Sequence, residues 1–234
     1  MSSTRSTKNA RTGRRPVAAA RARRSRTPWL VAAGVLLAVA ALFAIYRSAT
    51  PHAGPDSAGG NDRYSVGSPG VGALAPDFAL PNVTGAANVG AAPIVRLSDF
   101  RGKTVLLYLH EGLGCQPCWN QIRDLQNTPA TLTALGVDQL VTITSGPADL
   151  IAQKMADDQL TEPALADTDL AVSKQYQANQ YGMMGTSRDG HSFILVGPDG
   201  RIQWRADYGG APNYTMYVPL NQLAADLRAG RAGH

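Results

Sequence analysis

A run of five apolar residues that is soon followed by two cysteines is the feature that most limits how this chain can fold. Residues 105–109 read Val-Leu-Leu-Tyr-Leu, a pattern typical of a strand buried on both faces of a sheet. Cys115-Gln-Pro-Cys118 follows after five intervening residues and begins a helical pattern that runs to about Leu125. Proline is tolerated there because the first turn of a helix has amides without partners. The sequence therefore predicts a central strand that leads directly into a helix with both cysteines at its N-terminus.

The remaining elements alternate between strands and helices. An extended segment at 75–80 precedes the central strand, and β-branched or apolar runs predict the later strands. These strands are expected at 140–144, 164–166 and, as a hairpin, at 193–196 and 201–204. Amphipathic patterns predict helices over 149–159, 170–177 and 218–228, with a further helical turn around Leu132. This order indicates an α/β domain with a central mixed sheet.

An N-terminal segment without charge predicts a membrane anchor. Positions 27–46 contain no charged residue, and about twenty residues of helix span the roughly 30 Å of a bilayer core. Residues 1–46 contain nine lysines and arginines and no acidic residue, so the positive-inside rule orients the N-terminus toward the cytoplasm. A cleaved signal peptide is the alternative. Either interpretation exports the rest of the chain.

These patterns divide the chain into five parts. The expected parts are a basic cytoplasmic tail (1–27), a transmembrane helix (28–46), a flexible linker rich in glycine and proline (47–70), the folded domain (71–230) and a short tail (231–234). The formal charge of the whole chain is +5, but residues 47–234 hold thirteen basic and seventeen acidic residues, a net of −4. The basic character therefore belongs to the membrane flank, and we expect no nucleic-acid partner.

The placement of Cys115 and Cys118 favours redox chemistry. A thiol at a helix N-terminus is stabilised as thiolate by the helix dipole and the amides that have no helical partner. Cys118 lies one turn later on the same face, so Cys115 is the expected nucleophile and Cys118 its resolving partner. A purely structural disulfide would contribute only about 2 kcal/mol because the loop is so short. Two cysteines and four histidines do not form a four-ligand zinc pattern, although metal binding stays an alternative.

Several motifs resemble the thioredoxin-fold redoxins. They are Ala75-Pro-Asp-Phe, Leu97-Ser-Asp-Phe-Arg-Gly-Lys before the central strand, the cysteine helix, and Phe193-Ile-Leu-Val-Gly-Pro-Asp-Gly. This superfamily includes the AhpC/TSA peroxiredoxins and the membrane-anchored thiol–disulfide oxidoreductases of the TlpA/ResA type. The resemblance covers residues 71–230. It implies a central mixed sheet flanked by helices, with the dithiol exposed at the first helix.

The chain departs from both groups at informative positions. Peroxiredoxins carry Pro-x-x-x-Thr-x-x-Cys, but with Cys118 as the peroxidatic residue Glu111 replaces the proline and Cys115 the threonine. With Cys115 in that role, Gly112 occupies the threonine position. Either alignment lacks the hydroxyl that helps to bind a peroxide, which argues against an efficient peroxidase. Thioredoxin-like reductases usually have a cis-proline where this chain has His191.

Glu111 and His191 are the other candidate site residues. The resemblance makes Glu111, with His110 beside it, the expected proton acceptor during exchange, and an ordinary exposed carboxylate is the alternative. His191 would support the thiolate or relay protons, unless it is an ordinary residue at a loop edge that is solvated or hydrogen-bonded. The segment around it also resembles the Sco copper chaperones, which would use Cys115, Cys118 and His191 as copper ligands.

We therefore expect a membrane-anchored extracytoplasmic thiol–disulfide oxidoreductase with a catalytic Cys115–Cys118 pair and no bound cofactor. Its expected partners are the thiols or disulfides of client proteins, an electron donor or acceptor, and the membrane through one helix. A thiol peroxidase is the alternative within enzymes. A Sco-like chaperone that binds copper is the alternative from another class.

Overall fold

The computed structural model describes residue 33 and residues 35–42, 62–85 and 93–232. The chain divides into two compact units, 1–53 and 54–234. In the first unit, the described residues are helical and exposed. None of the helices in the described parts of the chain is both long and apolar enough to cross a membrane. The predicted basic tail (1–27), much of the predicted transmembrane segment and most of the linker lie outside the described residues.

The second unit is built on a mixed five-stranded sheet, as predicted. Its spatial order is β5-β4-β3-β6-β7, with β3, β4 and β5 parallel and β6 and β7 antiparallel to their neighbours. A separate antiparallel ribbon pairs β1 with β2. The strands are β1 (Ala79–Pro81), β2 (Ile94–Arg96), β3 (Val105–His110), β4 (Gln139–Thr144), β5 (Ala164–Ala166), β6 (Ser192–Val196) and β7 (Ile202–Asp207).

Helices cover both faces of this sheet. They are α1 (Gln116–Gln126), α2 (Pro129–Ala134), α3 (Ala148–Asp157), α4 (Ala171–Gln175) and α5 (Leu220–Ala232). Short 3-10 turns occur at Leu97–Phe100, Ala178–Gln180 and Gly185–Ser187. The observed bounds lie within a few residues of the predicted ones, since the hydrophobic periodicity that sets each element is local. The short ribbon strand β2 was not predicted.

Strand β3 occupies the centre of the sheet because all six of its residues are apolar or find partners in the interior. Every one of them is buried. Leu106 and Tyr108 face the core shared with α1, α3 and α5, whereas Leu107 and Leu109 face the core that contains the Phe78 and Tyr176 side chains. Two-sided burial explains why this strand reads as a continuous apolar run. The turn that leads to the cysteines begins at its C-terminal end.

The last part of the predicted linker packs against the domain. Ser65 forms an isolated β-bridge with Asp207, and the Tyr64 ring is buried against Trp204 and Tyr208. The prediction of a flexible tether is therefore wrong for residues 62–70. The abundance of glycine and proline suggested a linker, but Tyr64 gains enough buried contact to hold this stretch against the sheet.

Candidate active site

A tight turn connects β3 to α1 and sets the position of the cysteines. Gly112 has a φ of 71°, and a Cβ at this residue would lie 2.2 Å from the Thr144 hydroxyl oxygen. Only glycine satisfies both conditions. The turn brings Cys115 to the N-cap of α1, where its carbonyl accepts a hydrogen bond from the Cys118 amide at 3.0 Å. Trp119 lies in the core and donates from Nε1 to the Gly112 carbonyl at 3.0 Å.

Cys115 and Cys118 form a disulfide across this first turn, with their Cα atoms 5.4 Å apart. The relative exposure is 5% for Cys115 and 0% for Cys118. Cys115 is thus the more accessible cysteine, as expected of an attacking residue, but the predicted exposed dithiol is wrong. The two cysteines share a buried cluster with Met216, which belongs to the segment after β7. Burial of the pair depends on Met216, which is about a hundred residues away in the chain. A local sequence pattern therefore does not predict it.

His191 lies behind Cys118. Its side chain is completely buried, with Nδ1 3.9 Å from the Cys118 sulfur and 3.0 Å from the Tyr108 hydroxyl oxygen. Among the described residues, Nε2 has no hydrogen-bond partner. We assign the Tyr108 hydroxyl as donor and Nδ1 as acceptor, because this arrangement leaves the fewest buried polar groups unpaired. His191 is therefore not solvated, whereas the alternative of an ordinary hydrogen-bonded residue agrees with its contact to Tyr108.

The histidines beside the disulfide are neutral. Tyr108 stacks on Phe193 with ring centroids 4.4 Å apart and on His110 with centroids 5.1 Å apart. Desolvation lowers the pKa of His110 to about 3, and desolvation with the nearby His110 lowers the pKa of His191 to about 3. A protonated His191 would lie among these buried rings, where no solvent stabilises its positive charge. Of the predicted roles for His191, proton relay by a neutral ring fits this environment better than support by a charged one.

Glu111 is buried and directed at the backbone of a neighbouring segment. Its Oε1 accepts hydrogen bonds from the amides of Met183 and, at 3.0 Å, Met184. Arg188 reinforces this contact by donating to the Leu113 carbonyl at 2.9 Å. The alternative of an ordinary exposed carboxylate is wrong. Glu111 anchors the segment before β6 to the turn that carries the cysteines, and its expected part in proton transfer stays a prediction.

The copper ligand set predicted from the Sco resemblance is brought together only in part. Cys118 and His191 are near neighbours, but the His191 Nδ1 atom also contacts the Tyr108 hydroxyl. Within the described ranges, no group of three His, Cys, Asp or Glu residues is arranged to hold a metal ion. The copper alternative stays a prediction, and Cu(I) dialysis of the reduced protein followed by metal analysis tests it.

The segment from Gly209 to Tyr217, which we name the cover segment, closes the other side of the disulfide. It begins directly after Tyr208, and Met216 is its buried residue beside the sulfurs. Two contacts tie its C-terminal end to α1. The Val218 amide donates to Gln121 Oε1 at 2.6 Å, and the Tyr217 hydroxyl donates to the Asp124 carboxylate.

Sequence reasoning missed three residues at this site: Tyr108, Gln121 and Met216. Tyr108 was recognised as a strand residue, since apolar periodicity does not distinguish a tyrosine that packs from one that also donates a hydrogen bond. Gln121 is a polar residue on the buried face of α1, which is a weak local signal for a structural hydrogen bond. Met216 lies in a stretch without hydrophobic periodicity, so the sequence contains no signal for its position.

Comparisons with known proteins identify a family and relatives of this chain. Residues 71–205 match the AhpC/TSA family. Peroxiredoxin Bcp of Escherichia coli strain K12 is 31% identical over 137 residues, which cover 57% of this chain and 82% of that protein. A putative peroxiredoxin bcp of Haemophilus influenzae is 32% identical over 135 residues, with 56% and 82% covered.

Solved structures share the fold at lower identity. Peroxidoxin BcpB from Mycobacterium tuberculosis aligns with a TM-score of 0.53 at 16% identity, over 70% of this chain and 97% of that one. A putative thiol:disulfide interchange protein DsbE from Chlorobium tepidum aligns with a TM-score of 0.50 at 20% identity, over 69% and 97%. The chain therefore belongs to the AhpC/TSA family, and with it to the thiol oxidoreductases of the thioredoxin-fold redoxin superfamily.

Proposed function

We propose that this protein exchanges disulfides with protein thiols through Cys115 and Cys118. The observation that carries the proposal is the disulfide between these residues at the N-terminus of α1. A pair that closes within one helical turn switches between dithiol and disulfide without a large rearrangement of the backbone. The positive end of an eleven-residue helix stabilises the Cys115 thiolate whenever the bond opens.

The exchange proceeds in two balanced steps. A client thiolate attacks the Cys115 sulfur, the Cys115–Cys118 bond breaks, and Cys118 leaves as a thiolate that takes up a proton. A second client thiolate then attacks the client sulfur of this mixed disulfide and releases Cys115 as a thiolate. The client dithiol has lost two electrons and two protons. The protein has gained both electrons, and Cys118 holds one proton while the other is released to water until the Cys115 thiolate takes it up. The reverse sequence reduces a client disulfide.

His191 is proposed as a positioning residue for Cys118. In the oxidised protein Tyr108 fixes the ring by its hydrogen bond to Nδ1, which lies 3.9 Å from the sulfur that leaves. Once the Cys118 thiol is protonated, it can donate to Nδ1 in place of the Tyr108 hydroxyl, because a neutral imidazole has a single acceptor nitrogen. Replacing His191 with phenylalanine should shift the pH dependence of Cys118 alkylation in the reduced protein. A structural role alone would leave that profile unchanged.

Kinetics with protein clients test the proposal. The oxidised protein is mixed with reduced, unfolded ribonuclease A and the reduced protein with insulin, and thiols are counted after alkylation. We expect exchange in at least one direction, its loss in Cys115→Ser, and a long-lived mixed disulfide through Cys115 in Cys118→Ser. Equal rates for wild type and Cys115→Ser in both mixtures would reject disulfide exchange.

A thiol peroxidase is the second candidate, and the Bcp relatives favour it because they are named peroxiredoxins. In that reaction a cysteine thiolate attacks a peroxide oxygen and becomes a sulfenic acid, and the second thiol then displaces water to form the disulfide. The missing threonine hydroxyl opposes it. Stopped-flow oxidation of the reduced protein by hydrogen peroxide distinguishes the two activities. A rate close to that of ordinary free cysteine would exclude the peroxidase.

We also propose that one N-terminal helix anchors the protein and that the redoxin domain lies outside the cytoplasm. The charge-free stretch at 27–46 and the nine basic residues before it support this arrangement. Leu36→Arg combined with Leu37→Arg is the test, because each arginine at the centre of such a helix opposes insertion by about 2.5 to 3.5 kcal/mol. We expect wild type to stay with membranes after carbonate extraction and the double variant to be released. Release of wild type would reject the anchor.

A further inference from the structure

The disulfide is closed to attack in this conformation. An incoming thiolate must reach the Cys115 sulfur along the direction of the bond that breaks, yet Cys115 is nearly buried and Cys118 is fully buried. Met216 and the two cysteines form one buried cluster. Exchange of the kind proposed above therefore requires a movement, and Met216 is the non-cysteine side chain of this buried cluster.

Two features of the cover segment, its exposure and its local backbone strain, favour local opening. Residues 211–214 are all exposed, and Met216 is the buried residue that they precede. Tyr214 has a φ of 44°, a left-handed conformation that strains the backbone of a residue with a side chain. An exposed segment with local strain opens more readily than the strands beside it.

Defined contacts hold the two ends of this segment. At the first end, a Cβ on Gly209 would lie 2.1 Å from the Tyr181 carbonyl oxygen and 2.7 Å from the Met216 methyl carbon, so close packing requires glycine there. At the second end, Tyr217 binds Asp124 and the Val218 amide binds Gln121. The segment is thus packed closely at Gly209 and latched to α1, the helix whose N-terminus holds the cysteines.

We propose that Met216 is a specificity-determining residue that keeps thiols away from the Cys115–Cys118 disulfide until the cover segment is displaced. Small thiols then react only with the minor open population, at a rate reduced by its fraction. A protein partner that engages the exposed residues 211–214 shifts this population and gains access. The inference rests on the proposed disulfide exchange, but it concerns access to the sulfurs and has a readout of its own.

Reduction by dithiothreitol provides that readout, because the reagent needs no docking surface and closes to its own cyclic disulfide. The oxidised full-length protein is treated with dithiothreitol under pseudo-first-order conditions, and maleimide labelling counts the cysteine thiols. We expect Met216→Ala to react about tenfold faster or more, since the side chain no longer fills the site. Tyr217→Phe removes one latch while keeping the ring and should react about two- to fivefold faster.

Met216→Leu is the matched control, because leucine has a similar volume, and we expect its rate to stay close to that of wild type. Urea unfolding of each variant, followed by rate measurement well below its transition, separates local opening from global unfolding. Equal rates for wild type, Met216→Ala and Tyr217→Phe would overturn the proposal. If Met216→Ala is reduced faster while no variant exchanges with ribonuclease A or insulin, the result supports the role of Met216 in access and rejects the proposed disulfide exchange.

Discussion

The two sides of the Cys115–Cys118 disulfide are built in different ways. Behind Cys118, Tyr108 lies on the central strand and His191 directly precedes its antiparallel neighbour β6, and both are fully buried. In front, Met216 is held by a segment whose residues 211–214 are exposed. One side is fixed by the sheet. The other is held by the two contacts with α1 and by loop hydrogen bonds, such as those that the Thr215 amide donates to the Tyr208 carbonyl and the Asn213 side chain to the Asp62 carbonyl.

This difference separates chemistry from access. Side chains on or beside paired strands keep one geometry, which suits groups that must stay near a sulfur in both redox states. A loop of low local stability suits a residue that must move during every cycle. We therefore expect substitutions behind the disulfide to alter stability and pH dependence. Substitutions in front should alter mainly the rate at which thiols arrive.

The largest expected contrast is in global stability. Phe193 is fully buried and stacked on Tyr108, so Phe193→Ala should lower the free energy of unfolding by about 3 to 5 kcal/mol. Tyr214 on the cover segment is 47% exposed, and Tyr214→Ala should change it by less than about 1 kcal/mol. Urea unfolding of both variants measures the two values. Similar losses would contradict the division between a rigid and a mobile side.

The second prediction concerns acid. The pKa values of His110 and His191 in the folded protein are about 3, against an ordinary 6.5. Below pH 6.5 the unfolded chain therefore binds protons that the folded protein does not bind. Stability should fall as the pH drops from about 6.5 toward 3, by up to about 1.4 kcal/mol per pH unit for each histidine. Urea midpoints at several pH values should fall less steeply in His191→Asn.

Asp189 is a control, because its titration should change the pH dependence of stability in the opposite direction to that of the histidines. Burial raises the pKa of its carboxyl well above the ordinary value, so the folded protein binds this proton more tightly than the unfolded chain does. Its protonation stabilises the fold as the pH falls. Asp189→Asn should therefore steepen the acid loss that His191→Asn makes shallower. Parallel profiles for all three proteins would show that these buried groups do not set the acid sensitivity.

A smaller effect is expected from the hydrogen bond behind Cys118. Tyr108→Phe removes the hydroxyl that donates to His191 Nδ1 and leaves a buried acceptor unpaired, at a cost of about 1 to 3 kcal/mol. In His191→Leu the acceptor is absent, so the added loss from Tyr108→Phe should be smaller. A double-mutant cycle by urea unfolding measures this coupling. Full additivity would mean that the bond does not contribute.

The smallest effect is expected at the strained residue of the cover segment. Asparagine adopts the left-handed conformation more readily than tyrosine, so Tyr214→Asn should raise the free energy of unfolding by up to about 1 kcal/mol. Relief of strain also favours the closed cover, so reduction by dithiothreitol should slow. A faster reaction in this variant would indicate that the Tyr214 ring, rather than its backbone, holds the segment closed.

Much of the fold was predictable because its signals are local. The apolar run at 105–109 required a central strand, and the Cys-Gln-Pro-Cys motif required a helix start directly after it. The β1–β2 ribbon and the packing of residues 62–70 were not predictable, since short strands and a single buried Tyr64 leave no periodic pattern. Of the site residues, Glu111 was identified by its position in the chain, but its hydrogen bonds to the Met183 and Met184 amides depend on a distant segment.

The sequence by itself determined that both cysteines lie at the N-terminus of a helix next to a buried strand, because apolar periodicity and proline placement are properties of neighbouring residues. It also contained the motifs of the redoxins. Only the tertiary structure decided how accessible the disulfide is and which groups face it. His191 and Met216 lie far from the cysteines in the chain, and they approach them because sheet pairing and the course of the cover segment bring distant residues together. Packing, not local pattern, sets those distances.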